Sequence, residues 1–235
     1  MNSREMKSGD YRRYRQGRHL FTIMVIAGVF VLAPLNNIQA GFDLGADVVS
    51  RYIWRGTDFG NSASVQPYVS YGYGMLEVGA WSSWAVTAPG ANENDLYLSS
   101  SLGPVSFVLT DYYFPVAQGT GSDFFDYDQS SGNHILEFGA GYGNGPFSLF
   151  AGYNFWGDSE NSVYLEGSYE FYSKDKTQAS LAVGAGNGFY LTSPDDTPDL
   201  VNVAITAARD IFSVSYILNP NASVSWMVFG VNLSP

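Results

Sequence analysis

The chain has 235 residues, of which 46% are hydrophobic and 16% aromatic but only 14% charged. It contains no cysteine, which excludes a disulfide framework, a thiolate metal site and a cysteine nucleophile. A mean hydropathy of -0.05 excludes a bundle of membrane-spanning helices and fits a sheet whose alternate residues face lipid and water.

The first 40 residues have the three parts of an export signal. Six of the 11 basic residues fall within the first 18 positions, and an apolar run follows from Phe21 to Leu35. Small Ala40 then stands before Gly41. The apolar run is short for a membrane-spanning helix. We therefore predict a signal peptide over 1–40, cleaved to leave a barrel domain over 41–235; an uncleaved N-terminal anchor is the alternative.

Removal of 1–40 leaves five basic and 20 acidic residues, a formal net charge of -15. A surface of this sign repels nucleic acid, so we predict no nucleic-acid partner. The sequence also has no Gly-x-Ser-x-Gly elbow, no phosphate-binding loop and no His-Glu-x-x-His helix. We predict a protein that is not an enzyme and that carries no cofactor.

Alternation of apolar and polar side chains begins directly after the signal. Successive strand residues point to opposite faces, so 42–55 and 163–172 each predict a strand with one apolar and one polar face. In the first strand the large side chains are Phe42, Leu44, Val48, Tyr52 and Trp54. The opposite face carries the charged residues Asp43, Asp47, Arg51 and Arg55.

Turn signals divide the rest of the chain into segments of about ten residues, the length of a tilted membrane strand. Short turns fall at 73–74, 103–104, 143–145, 174–176 and 209–210. Longer polar segments fall at 55–62, 87–93, 116–133, 157–161, 192–199 and 219–222. Five short turns alternating with six loops join twelve strands and leave both ends on the short-turn side.

This arrangement predicts an all-β fold, a single antiparallel transmembrane β-barrel of about 12 strands with short periplasmic turns and longer outer loops. The expected location is the outer membrane of a Gram-negative bacterium, with outer-membrane lipid and the barrel assembly machinery as partners. The alternative is a secreted β-sandwich. A sandwich buries its apolar face, whereas here the large apolar face would meet lipid and the polar face the interior.

The segment Val49-Ser50-Arg51-Tyr52-Ile53-Trp54-Arg55-Gly56 resembles the opening motif of the TorF-like family of outer-membrane porins, Ser-x-Tyr-x-x-Arg-Gly. A loop and a second strand, 64–68, follow as in that family. The specific likeness covers residues 49 to about 70. An acid is usual in the family where this chain has Arg51. The resemblance implies an outer-membrane porin-like barrel, with no catalytic residues and no defined substrate.

Charged side chains on the polar face are the best candidates for a functional site. A charge that faced lipid would cost about 2–4 kcal/mol for arginine at mid-bilayer, so these residues should face the lumen. The predicted lumen charges are Asp43, Asp47, Arg51, Arg55, Glu77, Glu137, Glu166 and Glu170. Two arginines cannot neutralise six acids, which favours a cation-preferring pore; a salt-bridge network that fills a closed barrel is the alternative.

Inward glycines bear on the same choice. Gly45, Gly79, Gly139, Gly152 and Gly184 fall on the predicted lumen face and would leave space there. We therefore predict passive diffusion of small cationic or neutral solutes, and cation selectivity that Glu166→Gln and Glu170→Gln would reduce. A plugged structural or surface-interaction barrel without conductance is the alternative.

Two other features could carry chemistry. His134 is the one histidine of the predicted mature domain, and a lipid-hydrolysing barrel would need it as a base. Its expected strand neighbours on the same face, Leu136 and Phe138, point to the lipid side, which favours a rim histidine. Asp123, Asp126 and Asp128 are a weak candidate for calcium, but their spacing does not match an EF-hand loop and favours a solvated acidic loop.

Overall fold

The structure is a computed structural model that describes residues 40–87, 92–115, 123–193 and 197–234. The predicted signal peptide lies outside these residues, apart from Ala40. Among the described residues, no helix is long and apolar enough to cross a membrane. The described chain forms a closed antiparallel barrel of twelve strands, as predicted.

The strands are numbered in chain order, and each barrel strand pairs with its neighbours in the chain. The barrel strands are β1 (Gly41–Val49), β4 (Ser64–Tyr73), β5 (Leu76–Ala85), β6 (Glu93–Leu102), β7 (Val105–Tyr113), β8 (His134–Asn144), β9 (Phe147–Trp156), β10 (Val163–Lys174), β11 (Thr177–Gly186), β12 (Asp199–Arg209), β13 (Phe212–Asn219) and β14 (Val224–Asn232). Closure comes from β1 and β14, where Asp47 lies opposite Asn232 and Val49 opposite Gly230.

Two kinds of connection alternate around the barrel, as the turn signals predict. Two residues each connect β4 to β5, β6 to β7, β8 to β9, β10 to β11 and β12 to β13. Positive φ angles at Gly74, Gly103, Gly145, Asp175 and Asp210 make these tight turns. We call this end of the barrel the short-turn end and the opposite end the long-loop end. Both described termini lie at the short-turn end.

The two faces of the sheet have the polarity that the alternation predicts. Phe42 and Leu44 point outward and are 76% and 56% exposed, whereas Asp47 and its partner Gln66 point inward and are buried. Large apolar side chains are likewise exposed on the outside of the other strands, among them Val78, Leu98, Leu109, Leu165 and Ile205. An outside of this kind excludes the soluble sandwich, whose large apolar face would be buried.

The first strand is shorter than predicted. Alternation in the sequence continues to Arg55, but β1 ends at Val49, and residues 50–63 form a loop that turns into the barrel. Within this loop, β2 (Ile53–Trp54) pairs with β3 (Thr57–Asp58). The turn between them has φ of 49° at Arg55 and 76° at Gly56, as in the two-residue turns that join tight hairpins. We call Ile53–Asp58 the plug hairpin.

Burial of the inward side chains differs between the two halves of the lumen. In the long-loop half, polar side chains are fully buried: Gln66, Ser83, Glu93, Asn154 and Asn202. In the short-turn half, several inward side chains are small and only partly buried: Ser99, Ser148, Ser168, Ser180 and Ser213. We call this less tightly packed half of the lumen the vestibule and the half toward the long loops the packed layer.

Candidate functional site

The backbone of the plug hairpin fits closely against the barrel wall at its tip. A Cβ atom added to Gly56 would lie 1.8 Å from the carbonyl oxygen of Val201, so only glycine fits there. From the neighbouring strand, Asn219 Nδ2 donates a hydrogen bond of 2.9 Å to the carbonyl oxygen of Gly56. Both contacts come from inward-facing residues of the wall, so the hairpin tip lies inside the lumen.

Apolar packing fixes the stem of the plug hairpin. Ile53 is fully buried, and burial of an isoleucine side chain contributes about 1.5–3 kcal/mol. Its cluster consists of inward residues from β1 and from β11 to β14: Val49, Ala182, Ala204, Ile217 and Val228. Trp54 packs instead on the cluster of Tyr164, Tyr190 and Val201. The two side chains thus pack on neighbouring clusters of the barrel interior.

A buried ion pair holds the hairpin tip. Arg55 donates one hydrogen bond from Nη1 to Glu137 Oε2 and a second, of 2.9 Å, from Nη2 to Glu137 Oε1. Arg55 Nη1 also donates to the Tyr190 hydroxyl at 2.6 Å, and the Tyr112 hydroxyl donates to Glu137 Oε1 at 3.0 Å. The side chains of Arg55 and Glu137 are 2% and 1% exposed. This is a two-pronged, charge-assisted pair shielded from water.

Aromatic rings surround the guanidinium of Arg55. Its central carbon lies 4.4 Å from the ring centroid of Trp54, 4.6 Å from Tyr164, 5.1 Å from Phe150 and 5.6 Å from Tyr190. Cations at such distances are attracted by the ring faces. Arg55 Nε has no hydrogen-bond partner within the described residues. We call the wall residues around the guanidinium the cage: Tyr112, Glu137, Phe150, Tyr164 and Tyr190.

Two further predicted lumen acids are buried without a cationic partner in the described chain. Glu166 Oε2 accepts hydrogen bonds from the Tyr164 hydroxyl at 2.5 Å and from Asn202 Nδ2 at 3.0 Å. Asp47 Oδ1 accepts one from Asn232 Nδ2 at 2.9 Å. Glu166 shares Tyr164 with the cage and therefore lies in the layer next to it.

The other three acids lie toward the short-turn end. Asp43 is exposed at the start of β1. Glu77 is partly buried, and its Oε1 accepts a hydrogen bond of 3.1 Å from the Tyr97 hydroxyl. Glu170 is partly buried in β10, at the register shift between β10 and β11. These carboxylates surround the vestibule rather than the packed layer.

Arg51 does not lie in strand one, which corrects the predicted strand position. It lies in the first loop, with about a third of its side chain exposed. Its guanidinium donates to Asp58 Oδ2 at 2.9 Å and to Asn61 Oδ1. The two arginines predicted to share one strand face thus belong to a loop: Arg51 pairs within that loop, and Arg55 pairs with the wall.

The structure adds two acids that the sequence did not place in the lumen. Glu93 was expected in a loop, but it begins β6 and is 1% exposed. Asp95 follows on the same inward face. Glu93 Oε2 and Asp95 Oδ1 have no hydrogen-bond partner within the described residues. The period-two pattern from Glu93 to Tyr97 is the signal that would have found both.

Space above the inward glycines is filled, contrary to expectation. The hydroxyl groups of Tyr68, Tyr97 and Tyr164 lie 2.7, 2.4 and 2.1 Å from the positions that Cβ atoms would take on Gly45, Gly79 and Gly184. Phe150 covers Gly139 in the same way, and Glu137 covers Gly152. Each of these glycines therefore makes room for a large side chain from an adjacent strand. The glycines do not widen the lumen.

His134 lies on the outward face of β8 with Leu136 and Phe138, as predicted, since the pairing of β8 with β7 is regular there. It is nevertheless only 3% exposed; its Nδ1 lies 2.7 Å from Asp111 Oδ1, and its Nε2 lies 2.8 Å from the carbonyl oxygen of Phe124. The ring of Tyr127 stacks on the imidazole at 3.9 Å. The described segment 123–133 thus folds over His134.

The acidic residues of that segment satisfy donors of their own loop. Asp123 Oδ1 accepts from the Phe125 backbone at 2.9 Å, Asp126 Oδ1 from the Asp128 backbone at 3.1 Å, and Asp128 Oδ1 from the Ser130 backbone at 2.8 Å. Hydrogen bonds from the Ser130 hydroxyl and from its backbone lower the pKa of Asp128. In the part of the chain that the structure describes, no group of three acidic, histidine or cysteine side chains is arranged to hold a metal ion.

Comparison of the chain with protein-family models, with curated proteins and with solved structures finds no match. The motif that carries the resemblance in the sequence forms the first loop and its plug hairpin. Ser50 Oγ accepts a hydrogen bond of 2.9 Å from the Phe229 backbone, and Tyr52 is buried. Arg55 and Gly56 form the hairpin turn. Each residue named in the motif therefore contributes to the entry of this loop into the lumen.

Proposed function

We propose that this chain is a porin-like barrel of the Gram-negative outer membrane, related to the TorF-like family. It passes small cationic or neutral solutes when the plug hairpin leaves the lumen. The observation that carries the proposal is the lumen itself: a polar, acidic vestibule ends at a loop, the plug hairpin, rather than at the barrel wall. In the closed state the plug hairpin blocks the route from the vestibule to the long loops.

The exterior of the barrel supports a position in lipid. A closed sheet satisfies its backbone hydrogen bonds internally, which is the condition for crossing a bilayer. Aromatic side chains are exposed near the short-turn end at Tyr71, Tyr73 and Phe147 and near the long-loop end at Trp84 and Trp156. Two such girdles are typical of outer-membrane barrels. Short turns then face the periplasm, and the long loops face the outside.

The charge of the lumen supports cationic or neutral solutes. Asp43, Glu77 and Glu170 surround the vestibule. Low-dielectric walls focus such a charge and raise the local concentration of cations. Lys174 ends β10 and Lys176 lies in the turn that follows; both side chains are exposed and leave the lumen acids unpaired.

A non-conducting plugged barrel is the second candidate, and the complete burial of Arg55 and Glu137 favours it. A lipid hydrolase has less support. Both ring nitrogens of His134 are engaged, and the hydroxyls of Ser130 and Ser131 bond to Asp128 and Asp126 instead. No serine hydroxyl of that segment therefore faces the imidazole.

Single-channel recording in planar bilayers separates the two candidates. A variant in which Ile53–Asp58 is replaced by a short Gly-Ser linker should conduct steadily. The wild type should conduct to the same level but in infrequent events, because the hairpin must leave first. If the variant conducts and the wild type never opens, the result would support the plugged barrel. If the variant does not conduct, the result would contradict the blocking role of the hairpin.

The control for this experiment replaces a connection of the other kind. Asp175 and Lys176 form a short turn whose side chains are exposed and far from the lumen. Their replacement by Asn-Gly, which keeps the positive φ angles, should leave the wild-type pattern of events unchanged. A change in the openings of this control variant would mean that openings reflect general loosening of the barrel rather than departure of the hairpin.

A further inference from the structure

The cage around Arg55 is built by four strands of the barrel wall and one other loop, and not by the plug hairpin. Tyr112, Glu137, Phe150 and Tyr164 come from four consecutive strands, β7 to β10. Tyr190 ends the short 3-10 turn Gly188–Tyr190 in the loop after β11. Of the groups around the guanidinium, only Trp54 belongs to the hairpin itself. The wall thus keeps a preformed site when the hairpin departs.

The shape of the site selects one class of cation. The two oxygens of Glu137 accept two parallel N–H groups, the geometry of a planar guanidinium, and Tyr112 and Tyr190 fix the carboxylate from the sides. Ring faces of Phe150 and Tyr164 cover the flat cation. A hydrated metal ion has neither the flat faces nor the paired donors, and a primary ammonium presents one centre rather than a fork.

We propose that the cage is a binding site for solutes that carry a guanidinium group, and that Arg55 is a tethered competitor for it. This inference rests on the proposed function, because a solute gains passage only if displacement of Arg55 frees the hairpin. A group tethered by a short linker has an effective concentration in the millimolar range. Free guanidinium solutes should therefore act at millimolar concentrations or above.

The test uses methylguanidinium chloride, with sodium chloride and methylammonium chloride at equal concentration as controls. In the wild type, methylguanidinium should raise the frequency of openings several-fold, because it competes with Arg55. In Arg55→Gly, whose backbone suits the positive φ at this position, openings should be frequent, and methylguanidinium should reduce them by refilling the cage. Opposite signs in the two proteins are the signature of one shared site.

Binding is measured separately from conductance by thermal unfolding in detergent micelles. Methylguanidinium should raise the Tm of Arg55→Gly by several degrees, and it should have no such effect on Arg55→Gly/Glu137→Gln, which lacks the carboxylate. Arg209→Ala removes an exposed guanidinium elsewhere and should behave like the wild type. If Arg55→Gly does not fold, the wild-type opening frequency and its ion dependence still test the proposal.

The outcomes separate the two proposals. A Tm shift in Arg55→Gly without current from any variant would overturn the porin-like function and leave the cage as a binding site. Currents with equal responses to methylguanidinium, methylammonium and sodium would overturn the cage and leave the porin-like function. A Tm shift of the same size in Arg55→Gly/Glu137→Gln would also overturn the cage, because the response would not depend on Glu137.

Discussion

Arg55 and Glu137 are 82 residues apart in the chain, and they meet in the interior of the barrel through two hydrogen bonds. One belongs to the first loop and the other to β8, on the far side of the lumen from β1. Their pairing joins the tip of the plug hairpin to the barrel wall. It acts together with the packing of Ile53 and the close fit of Gly56 against Val201 to hold the hairpin in the lumen.

Loss of the charge on Glu137 should release the plug hairpin. Glu137→Gln keeps the shape but leaves Arg55 as an uncompensated buried charge, and breaking a buried pair in this way costs about 3–5 kcal/mol. We expect more frequent openings and a lower Tm in micelles. Glu166→Gln is the matched control, because its carboxylate has neutral partners only, and its effect should be smaller. Equal effects of the two variants would contradict a specific role for the pair.

Gly56→Ala should also release the hairpin, for a steric reason. The added methyl group would lie 1.8 Å from the Val201 carbonyl oxygen, and a φ of 76° adds about 1 kcal/mol of strain for a residue with a side chain. Gly74→Ala is the matched control, since its φ is 66° but nothing lies within 4 Å of its added Cβ. Openings should increase in the first variant only. The same opening frequency in both would mean that backbone strain, and not the fit against Val201, matters.

The ion selectivity of the open barrel should depend on the acidic residues of the vestibule. The hairpin-deleted barrel should prefer cations at low salt and lose that preference at high salt, because the Debye length falls from about 10 Å at 0.1 M to about 3 Å at 1 M. Glu77→Gln together with Glu170→Gln should reduce the preference more than Glu166→Gln, whose carboxylate is buried. Reversal potentials across a salt gradient measure this. An anion-selective barrel would contradict the prediction.

Asp158 should make the loop 157–162 sensitive to acid. Burial raises the pKa of Asp158, but hydrogen bonds from Asn154, Ser162 and the Glu160 backbone outweigh burial and lower it. The charged form is therefore favoured in the folded loop. The contribution of Asp158 to stability is therefore fully present above the pKa that it has in the unfolded chain. It is lost as the pH falls through the lower pKa that Asp158 has in the folded protein.

Asp158→Asn should accordingly destabilise the protein at neutral pH by about 1 kcal/mol or less, since solvent screens a half-exposed carboxylate. The difference from wild type should vanish in strong acid. Thermal unfolding of both proteins across a pH series measures it. A difference that persists unchanged in strong acid would mean that the carboxylate charge does not matter.

Asp111→Asn should loosen the segment that covers His134. Asp111 bonds both to the imidazole and, at 2.6 Å, to the hydroxyl of Tyr127, whose pKa this bond raises to about 12. Without the carboxylate, protease added outside the cell should cleave within 123–133 more rapidly. Asp123→Asn, whose carboxylate accepts from its own loop only, should change the rate little. Unchanged cleavage in Asp111→Asn would contradict this anchoring role.

The sequence predicts the barrel well because alternation and turn chemistry are local. Val163 to Tyr172 shows both, and its strand appears in the structure, extended by two residues to Lys174. The plug hairpin is not predictable in this way, since alternation continues through Ile53 and Trp54 whether they face lipid or fill the lumen. What ends β1 at Val49 is the two-residue turn at Arg55 and Gly56 together with a partner 82 residues away.

The inward glycines show a second limit. Gly184 has no side chain, and its sequence neighbours do not reveal that Tyr164, on the adjacent strand, lies across it. Cross-strand register decides whether a glycine widens the lumen or accommodates a ring. Counting by twos assigns the face of His134 correctly, but its burial depends on the segment 123–133, which folds over it and has no regular period.

The most direct test of closure by the plug hairpin locks the hairpin in place. The chain has no cysteine, so Ile53→Cys and Ile217→Cys, from one packed cluster, can be joined by a disulfide or a short thiol cross-linker. Thr206→Cys with Ser215→Cys joins two register partners of the same strands outside that cluster and leaves the hairpin free. The locked protein should show no openings until it is released, whereas the control should open as the wild type does. Openings of the same frequency and size in the locked protein would contradict closure by the hairpin.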